Sequence, residues 1–311
     1  MKIYVLEECS QAGMDVLKER ADEVVLWDHP DVDRWREDAD GVVVRLAPIT
    51  ADDLAQATNL KVVAKHGVGV ENIDLDAAKA HGVTVVNTPG VNSEAVAELA
   101  MALALGVARR LAELDRLTRA GANYDRNKYE GVGFWQKSVG VVGMGNIGTR
   151  VARKWYRAFE ANIVAYDPYV PADRWSDLPH ERVSSLEELL RRSDLVSVHV
   201  PRNEETIDLI DADELAIMRP SAILVNTSRG GIINESALYA ALRERRIFGA
   251  GLDVFDVEPP TLDNPLVSLP NILTTPHAAG GTAENHARTS LAVVDELLTA
   301  LSDEEPRSRV V

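Results

Sequence analysis

Residues 139–167 read VGVVGMGNIGTRVARKWYRAFEANIVAYD, and this stretch decides the fold. The run Val139, Val141 and Val142 is short, apolar and β-branched, which predicts a buried strand. It breaks into Gly143-Met144-Gly145-Asn146-Ile147-Gly148, and a helical period follows with Val151, Ala152, Trp155 and Phe159 on one face. A second strand, Ile163 to Tyr166, ends in Asp167. Three glycines alone are most simply loop residues. Set between a strand and a helix, with an acid closing the next strand, they predict a dinucleotide-binding unit. Gly143 permits the tight turn, Gly145 lets a pyrophosphate approach the backbone, and Gly148 lets the helix pack on its strand. The free N–H groups and positive dipole end of the helix then face the phosphates. Asp167 is placed to accept hydrogen bonds from ribose hydroxyls and to repel a 2′-phosphate, which favours NAD over NADP.

The surrounding chain has 311 residues, enough for two domains with real cores, and its 46% apolar content is that of an ordinary globular protein. A net charge of −16 argues against nucleic acid and anionic membrane as partners. It leaves room for an anionic substrate held in a local basic pocket. Cys9 is the single cysteine, so no intrachain disulfide is possible and an oxidising compartment is not indicated. The start, MKIYVLEE, reads as a strand running into acids rather than a signal peptide. The apolar run Leu99 to Ala108 is too short to span a bilayer. These features together predict a cytoplasmic protein.

Residues 1–90 alternate strands (KIYVL, EVVLW, GVVVR, KVVAK, VTVVN) with helical patterns near 10–20, 50–57 and 74–81. Such alternation predicts a parallel sheet covered on both faces, and without GxGxxG it is a separate α/β unit. Ser93 is expected to cap one long helix over 94–118, apolar on nearly every face and therefore buried at a domain junction or subunit interface. After Asp167 comes a proline-bearing loop, and Ser184 and Ser185 with Glu187 and Glu188 predict a capping box. LVSVHV (195–200), AILVN (222–226), GAGLDVF (249–255) and ILTTPH (272–277) read as strands. Residues 235–245 and 284–301 read as helices.

Three strand ends carry polar residues that packing does not require: Asn226-Thr-Ser-Arg229, Asp253 to Glu258, and Thr275-Pro-His277. The C-terminal edge of an open α/β sheet is where ligands bind. Taken singly, each is an ordinary surface loop. Together they hold the minimal set for reducing a 2-oxo acid. Histidine donates a proton near neutral pH, and a carboxylate beside it orients the imidazole and favours its charged form. Arginine holds the substrate's carboxylate and polarises the neighbouring carbonyl.

NTSRGG, GLDVFDVEPP, TPHAAGGT, VGVVGMGNIG and KHGVGVENIDLDAAKAHGVTVVNTPG (65–90) resemble the signature stretches of the D-isomer-specific 2-hydroxyacid dehydrogenase family. The resemblance runs along nearly the whole chain. It implies an α/β fold of two doubly wound parallel-sheet domains with the active site in the cleft. A Rossmann NAD domain (96–283) would be inserted in a flavodoxin-like substrate domain (1–95 and 284–311). It implies that Arg229 binds substrate and that His277 is the acid/base paired with Glu258. The backbone of Gly67-Val68-Gly69 would hold the substrate carboxylate. Asp253 would meet the nicotinamide carboxamide, and His199, Pro201, Thr206, Thr227, Ser228 and Gly280 would line the cofactor with Gly143, Gly145, Asn146, Ile147 and Gly148. A homodimer is usual in the family.

The family commonly has His-x-Pro-Leu-Thr after the strand at 195–200, whereas this chain has His199-Val-Pro201-Arg202-Asn203. Arg202 there would pair with a 2′-phosphate, or else with Asp167 or solvent. Arg45 and Lys65, if both face substrate, would favour a second anionic group such as a phosphate. The 65–90 stretch looks most like the phosphoglycerate dehydrogenase branch, while the chain ends soon after its last helix, without that branch's usual regulatory extension. Hydroxypyruvate, glyoxylate and sugar acids stay open as substrates. So do oxidation of phosphite and an NAD(H)-sensing corepressor role on the same scaffold.

Overall fold

The computed structural model describes residues 1–311 apart from Ala172, Asp303 and the side chain of Arg126. The chain divides into two compact units, Met1–Asn92 with Gly280–Val311, and Ser93–Ala279.

The first unit is a five-stranded parallel sheet of β1 (Lys2–Val5), β2 (Glu23–Val25), β3 (Gly41–Val44), β4 (Val62–Lys65) and β5 (Thr84–Val86), in the order β2-β1-β3-β4-β5. This is the flavodoxin-like order. All five expected strands form. Alternate side chains serve opposite faces, as the period of two requires. Tyr4, Val42, Val44, Val63 and Val85 pack on one side with Trp35, Leu54 and Ile73. Ile3, Val5, Val43, Val62 and Ala64 pack on the other with Met14 and Leu17 of α1 (Gln11–Arg20). α2 (Trp35–Asp38), which sequence periodicity does not announce, precedes β3, and α3 (Ala51–Gln56) and α4 (Leu75–Ala80) follow. The last helix of the chain returns to this sheet, where Val293, Val294, Leu297 and Leu298 complete the α1 side.

The second unit is a seven-stranded, wholly parallel sheet. Its strands are β6 (Ser138–Val142), β7 (Asn162–Tyr166), β8 (Glu181–Arg182), β9 (Leu195–Val198), β10 (Ile223–Asn226), β11 (Gly249–Leu252) and β12 (Ile272–Thr274). Their order is β12-β11-β10-β9-β6-β7-β8, the doubly wound Rossmann arrangement with its switch point between β6 and β9. The crevice at the carboxyl ends of those two strands is where this topology places a ligand.

The long helix expected over 94–118 is two helices, α5 (Ser93–Ala108) and α6 (Leu111–Arg119), broken at Arg110 with a left-handed φ of 53°. The cause is a crossing segment: Val132 N–H donates to the Ala108 carbonyl at 2.9 Å, which ends α5. Ser93 is the first helical residue, not the cap. The apolar body of α5 is buried within its own unit, through Ala97, Ala100, Leu103, Ala104 and Val107. No residue of α6 is buried.

α7 (Asn146–Phe159) carries the motif, and Val151, Ala152 and Trp155 are buried as its period predicts. α8 (Leu186–Arg192) is capped by Ser185, whose hydroxyl accepts from Glu188 N–H. The reciprocal half of the expected box is replaced by an ion pair from Glu188 to Arg192 at 2.9 Å. α9 (Ala212–Ile217), not expected, and α10 (Glu235–Arg243) complete this unit, and α11 (Ala283–Leu301) is the helix that returns to the first. Among the described residues, no helix is long and apolar enough to cross a membrane.

Candidate active site

The turn after β6 has the geometry its glycines predict at two positions, and open space at the third. Gly143 has a φ of 95°, and a Cβ there would lie 2.4 Å from the His199 carbonyl oxygen that follows β9. A Cβ on Gly148 would lie 2.0 Å from the Gly143 carbonyl oxygen, so only glycine lets α7 start so close to its strand. Gly145 has ordinary extended backbone, and a Cβ there would meet no atom of the protein within 4 Å. The protein itself does not require glycine at 145. A phosphate approaching the backbone does. Gly145 is also the N-cap of α7 and brings no side-chain cap, so the N–H groups around Asn146 and Ile147 remain available to an anion.

Asp167 ends β7 beside this turn. Its carboxylate accepts from Met144 N–H at 2.8 Å, Tyr169 N–H at 2.9 Å and Val170 N–H at 3.2 Å. A carboxylate offers about four acceptor positions, so one remains for a ribose hydroxyl. Asp167→Ala is expected to weaken NADH binding about tenfold, the loss of one charge-assisted hydrogen bond, and to narrow the preference over NADPH. Fluorescence titration with both cofactors measures this. An unchanged NADH/NADPH ratio would remove Asp167 from ribose recognition.

Asn226, Leu252 and Thr274 lie side by side at the ends of β10, β11 and β12. The loops that follow therefore share one sheet edge, and they carry Arg229, Glu258 and His277. His277 Nδ1 lies 2.6 Å from Glu258 Oε2, and the other Glu258 oxygen accepts from Phe255 N–H at 3.0 Å. With Nδ1–H donating to the carboxylate, Nε2 is the nitrogen left for proton exchange.

His277 has a φ of 54° and is held there through Asp253. The fully buried Asp253 carboxylate accepts from Thr275 Oγ1 at 2.6 Å, Ala278 N–H at 2.7 Å and Ala279 N–H at 3.0 Å. His277 N–H donates to the Asp253 carbonyl at 2.7 Å. Asp253, expected at the nicotinamide carboxamide, thus also positions the histidine loop.

On the β10 loop, Arg229 Nη1 donates to the Ser228 carbonyl at 2.8 Å. Asn226 buttresses the loop, donating to the Arg229 carbonyl at 2.9 Å and accepting from Ser228 N–H and Oγ at 2.9 and 2.6 Å. The Ser228 hydroxyl is therefore occupied within its own turn. Thr227 is different: its hydroxyl is buried and has no partner among the described residues.

Other expected cofactor residues have internal tasks. The Thr206 hydroxyl closes its own turn on the Pro201 carbonyl at 2.6 Å and accepts from Asn203 N–H at 2.8 Å. His199 is buried against the Ser197 hydroxyl at 2.8 Å, and burial pushes its imidazole down to about 3, so it is neutral near pH 7. Its Nδ1 has no partner among the described residues. Arg202 lies against Gly231, where a Cβ would meet its Nε at 3.0 Å, and the partners of Asp167 do not include it.

In the first unit, Lys65 is 7% exposed, and its ammonium donates to the Arg45 carbonyl and to Asn72 Oδ1. It ties together the loops that carry Arg45 and Asn72. Arg45 is exposed. Gly67 N–H is taken by the Thr88 hydroxyl at 3.1 Å, whereas Val68 and Gly69 N–H have no intrachain acceptor among the described residues. The Gly280 carbonyl accepts from Asn285 Nδ2 at 2.8 Å.

Sequence reasoning passed over His66, buried with Nε2 3.0 Å from the Ser290 hydroxyl and its ring 5.2 Å from that of His286. Burial, then the neighbouring His286, push His66 from 6.5 down to about 4. A base whose folded value lies below its unfolded one stabilises fully above pH 6.5 and loses that contribution as pH falls towards 4. Urea unfolding at pH 7 and pH 4.5 is expected to show a fall that His66→Gln reduces, by at most about 3 kcal/mol. Parallel pH slopes for the two proteins would contradict this.

A family model, the NAD-binding domain of D-isomer-specific 2-hydroxyacid dehydrogenases, matches residues 101–279. The chain belongs to that family, whose members are NAD-dependent oxidoreductases, and the second unit is its NAD-binding domain. The D-3-phosphoglycerate dehydrogenase of Archaeoglobus fulgidus is 37% identical over 302 residues, which cover 96% of this chain and 57% of that protein. The chain therefore spans little more than half the length of that relative. The hydroxypyruvate reductase of Thermotoga maritima is 37% identical over 306 residues, 96% of this chain and 98% of the relative. Among solved structures, a D-lactate dehydrogenase with NAD+ from Lactobacillus jensenii superposes with a TM-score of 0.81 at 25% identity, covering all of both chains.

Proposed function

We propose that the chain exchanges a hydride between NAD and a small anionic 2-hydroxy acid, with His277 as acid/base, Glu258 as its partner and Arg229 as the substrate's anchor. The observation that carries this reading is the 2.6 Å contact between His277 and Glu258 on the edge that also holds Arg229. Bound NAD supplies the hydride acceptor, or as NADH the donor. Glu258 keeps the imidazole oriented and balances its charge, and Nε2 gives a proton to the substrate oxygen in reduction and takes it back in oxidation. The guanidinium of Arg229 grips the carboxylate and polarises the adjacent carbonyl.

3-Phosphoglycerate, hydroxypyruvate and glyoxylate are the substrates this reading places first, ahead of sugar acids. A hydroxypyruvate reductase, a glyoxylate reductase and a D-3-phosphoglycerate dehydrogenase are each 37% identical to this chain over almost its whole length, which supports all three. A homodimer belongs to the same reading, supported by α6 with its exposed Leu111.

The test is a set of initial rates of NADH and NADPH oxidation with glyoxylate, hydroxypyruvate, pyruvate, 2-oxoglutarate and a keto sugar acid. 3-Phosphoglycerate and phosphite are run in the oxidative direction. Turnover of 3-phosphoglycerate, hydroxypyruvate or glyoxylate above the others is expected. Turnover of phosphite alone, or tight NADH binding without turnover of any, would replace this reading with a phosphite dehydrogenase or an NAD(H)-sensing corepressor.

A further inference from the structure

We propose that Arg174 is a phosphate-binding residue of the NAD site. It lies in the segment between β7 and β8, far from the glycine motif in sequence, and the structure brings it to the glycine turn. Its Nε donates to the Met144 carbonyl at 3.2 Å. Met144 N–H, on the same residue, donates to Asp167. A carboxylate suited to ribose hydroxyls and a guanidinium thus bracket one residue of the turn.

The placement of Arg174 is imposed by its neighbour. Trp175 is buried at 5% exposure, with a left-handed φ of 67° that a bulky residue adopts only when its surroundings require it. Its indole sits in the core beneath α7 and stacks edge-on with His180 at 5.4 Å. The indole N–H donates to the Thr149 hydroxyl, which donates in turn to the Gly145 carbonyl at 2.7 Å. The Arg174 segment is therefore tied to the phosphate turn itself.

The guanidinium of Arg174 is exposed, and no carboxylate pairs with it among the described residues. The other arginines around the turn are occupied. Arg150 pairs with Glu94 at 2.9 Å and donates to the Asn146 carbonyl. Arg182 donates to the carbonyls of Asp167, Val170 and Pro171, where it shapes the loop. Arg174 has a charge, a fixed tether and free N–H groups beside a helix N-terminus that lacks a side-chain cap, and an anionic oxygen of the dinucleotide completes it. That oxygen belongs to the pyrophosphate, present in NAD and NADP alike, or to the 2′-phosphate of NADP.

The experiment is equilibrium binding of NADH and NADPH, by fluorescence, to the parent protein and to Arg174→Ala, Arg174→Gln and Arg174→Lys, with Tm recorded for each. Arg174→Ala is expected to lose about tenfold in affinity, as one charge-assisted pair warrants. Arg174→Gln keeps a donor for the Met144 carbonyl without the charge and is expected to lose as much. Arg174→Lys is expected to keep most of the affinity. Equal losses for both cofactors assign the pyrophosphate, and a loss confined to NADPH assigns the 2′-phosphate. Unchanged affinity for both in Arg174→Ala overturns the proposal. So does full recovery in Arg174→Gln with none in Arg174→Lys, which marks a structural tie only.

Discussion

Replacing His277 by alanine is expected to lower kcat by ~10²–10⁴-fold while leaving NADH affinity nearly intact. The size follows from the role: proton transfer at the substrate oxygen is lost, and hydride transfer without it would leave an alkoxide unneutralised. Affinity for NADH is spared because the imidazole contributes nothing to the glycine turn or to Asp167. One complication comes from the backbone. His277 sits at a φ of 54°, where alanine costs about 1 kcal/mol and asparagine less. His277→Asn therefore separates loss of the ring from distortion of the loop, and the two variants should be equally inactive. Glu258→Gln is expected to lower kcat less, since the carboxylate orients and balances charge but transfers no proton itself. Stopped-flow NADH oxidation beside fluorescence titration reads both quantities. Turnover of His277→Ala within a fewfold of the parent would remove the residue from the mechanism.

The sequence carried the strands more faithfully than the side chains. Most strands are short β-branched runs buried on both faces, and such runs are legible because a parallel sheet needs apolar residues on both sides, whereas β8, the charged pair Glu181–Arg182, is not such a run and was not expected. The break between α5 and α6 was not legible. Residues 94–118 keep a helical pattern throughout, and the interruption comes from Val132, which takes the Ala108 carbonyl across a stretch that no local window contains. That Arg229, Glu258 and His277 share one sheet edge was legible, because each follows one of three strands read from the sequence. What each other polar residue does was less so. Asp253 and Thr206 were placed at the cofactor because they stand in the right motifs. Within the chain their hydrogen bonds serve the histidine loop and the turn at Pro201, tasks the motifs do not announce. The acceptors of Lys65, the Arg45 carbonyl and Asn72, are likewise marked by no motif. A motif gives position in the fold, whereas the assignment of a donor needs its acceptor in view. Arg174 shows the converse: no motif marks it, and only the burial of Trp175 brings it to the turn.

The second large effect is expected at the glycine turn, where two alanine substitutions should fail in different ways. Gly148→Ala sets a methyl 2.0 Å from the Gly143 carbonyl oxygen and 3.2 Å from Val141. The first of these is backbone on a strand end, so it cannot rotate aside, and α7 must shift off the sheet. Overpacking at a site that cannot relax costs about 1–3 kcal/mol, and more where backbone is displaced. A lower Tm and weak NADH binding are expected together. Gly145→Ala meets no protein atom within 4 Å and demands no unusual φ, so Tm should be unchanged. Its methyl instead occupies the space through which a phosphate reaches the N-terminus of α7. NADH affinity is expected to fall at least tenfold, because the lost contacts are charge-assisted hydrogen bonds from N–H groups that no side chain caps. Thermal melts and NADH titrations on the two variants give four numbers, and the pattern matters more than any one of them. A Gly145→Ala protein that melts and binds NADH like the parent would mean that the dinucleotide does not approach this turn. The doubly wound sheet would then stand without its ligand site where topology places it.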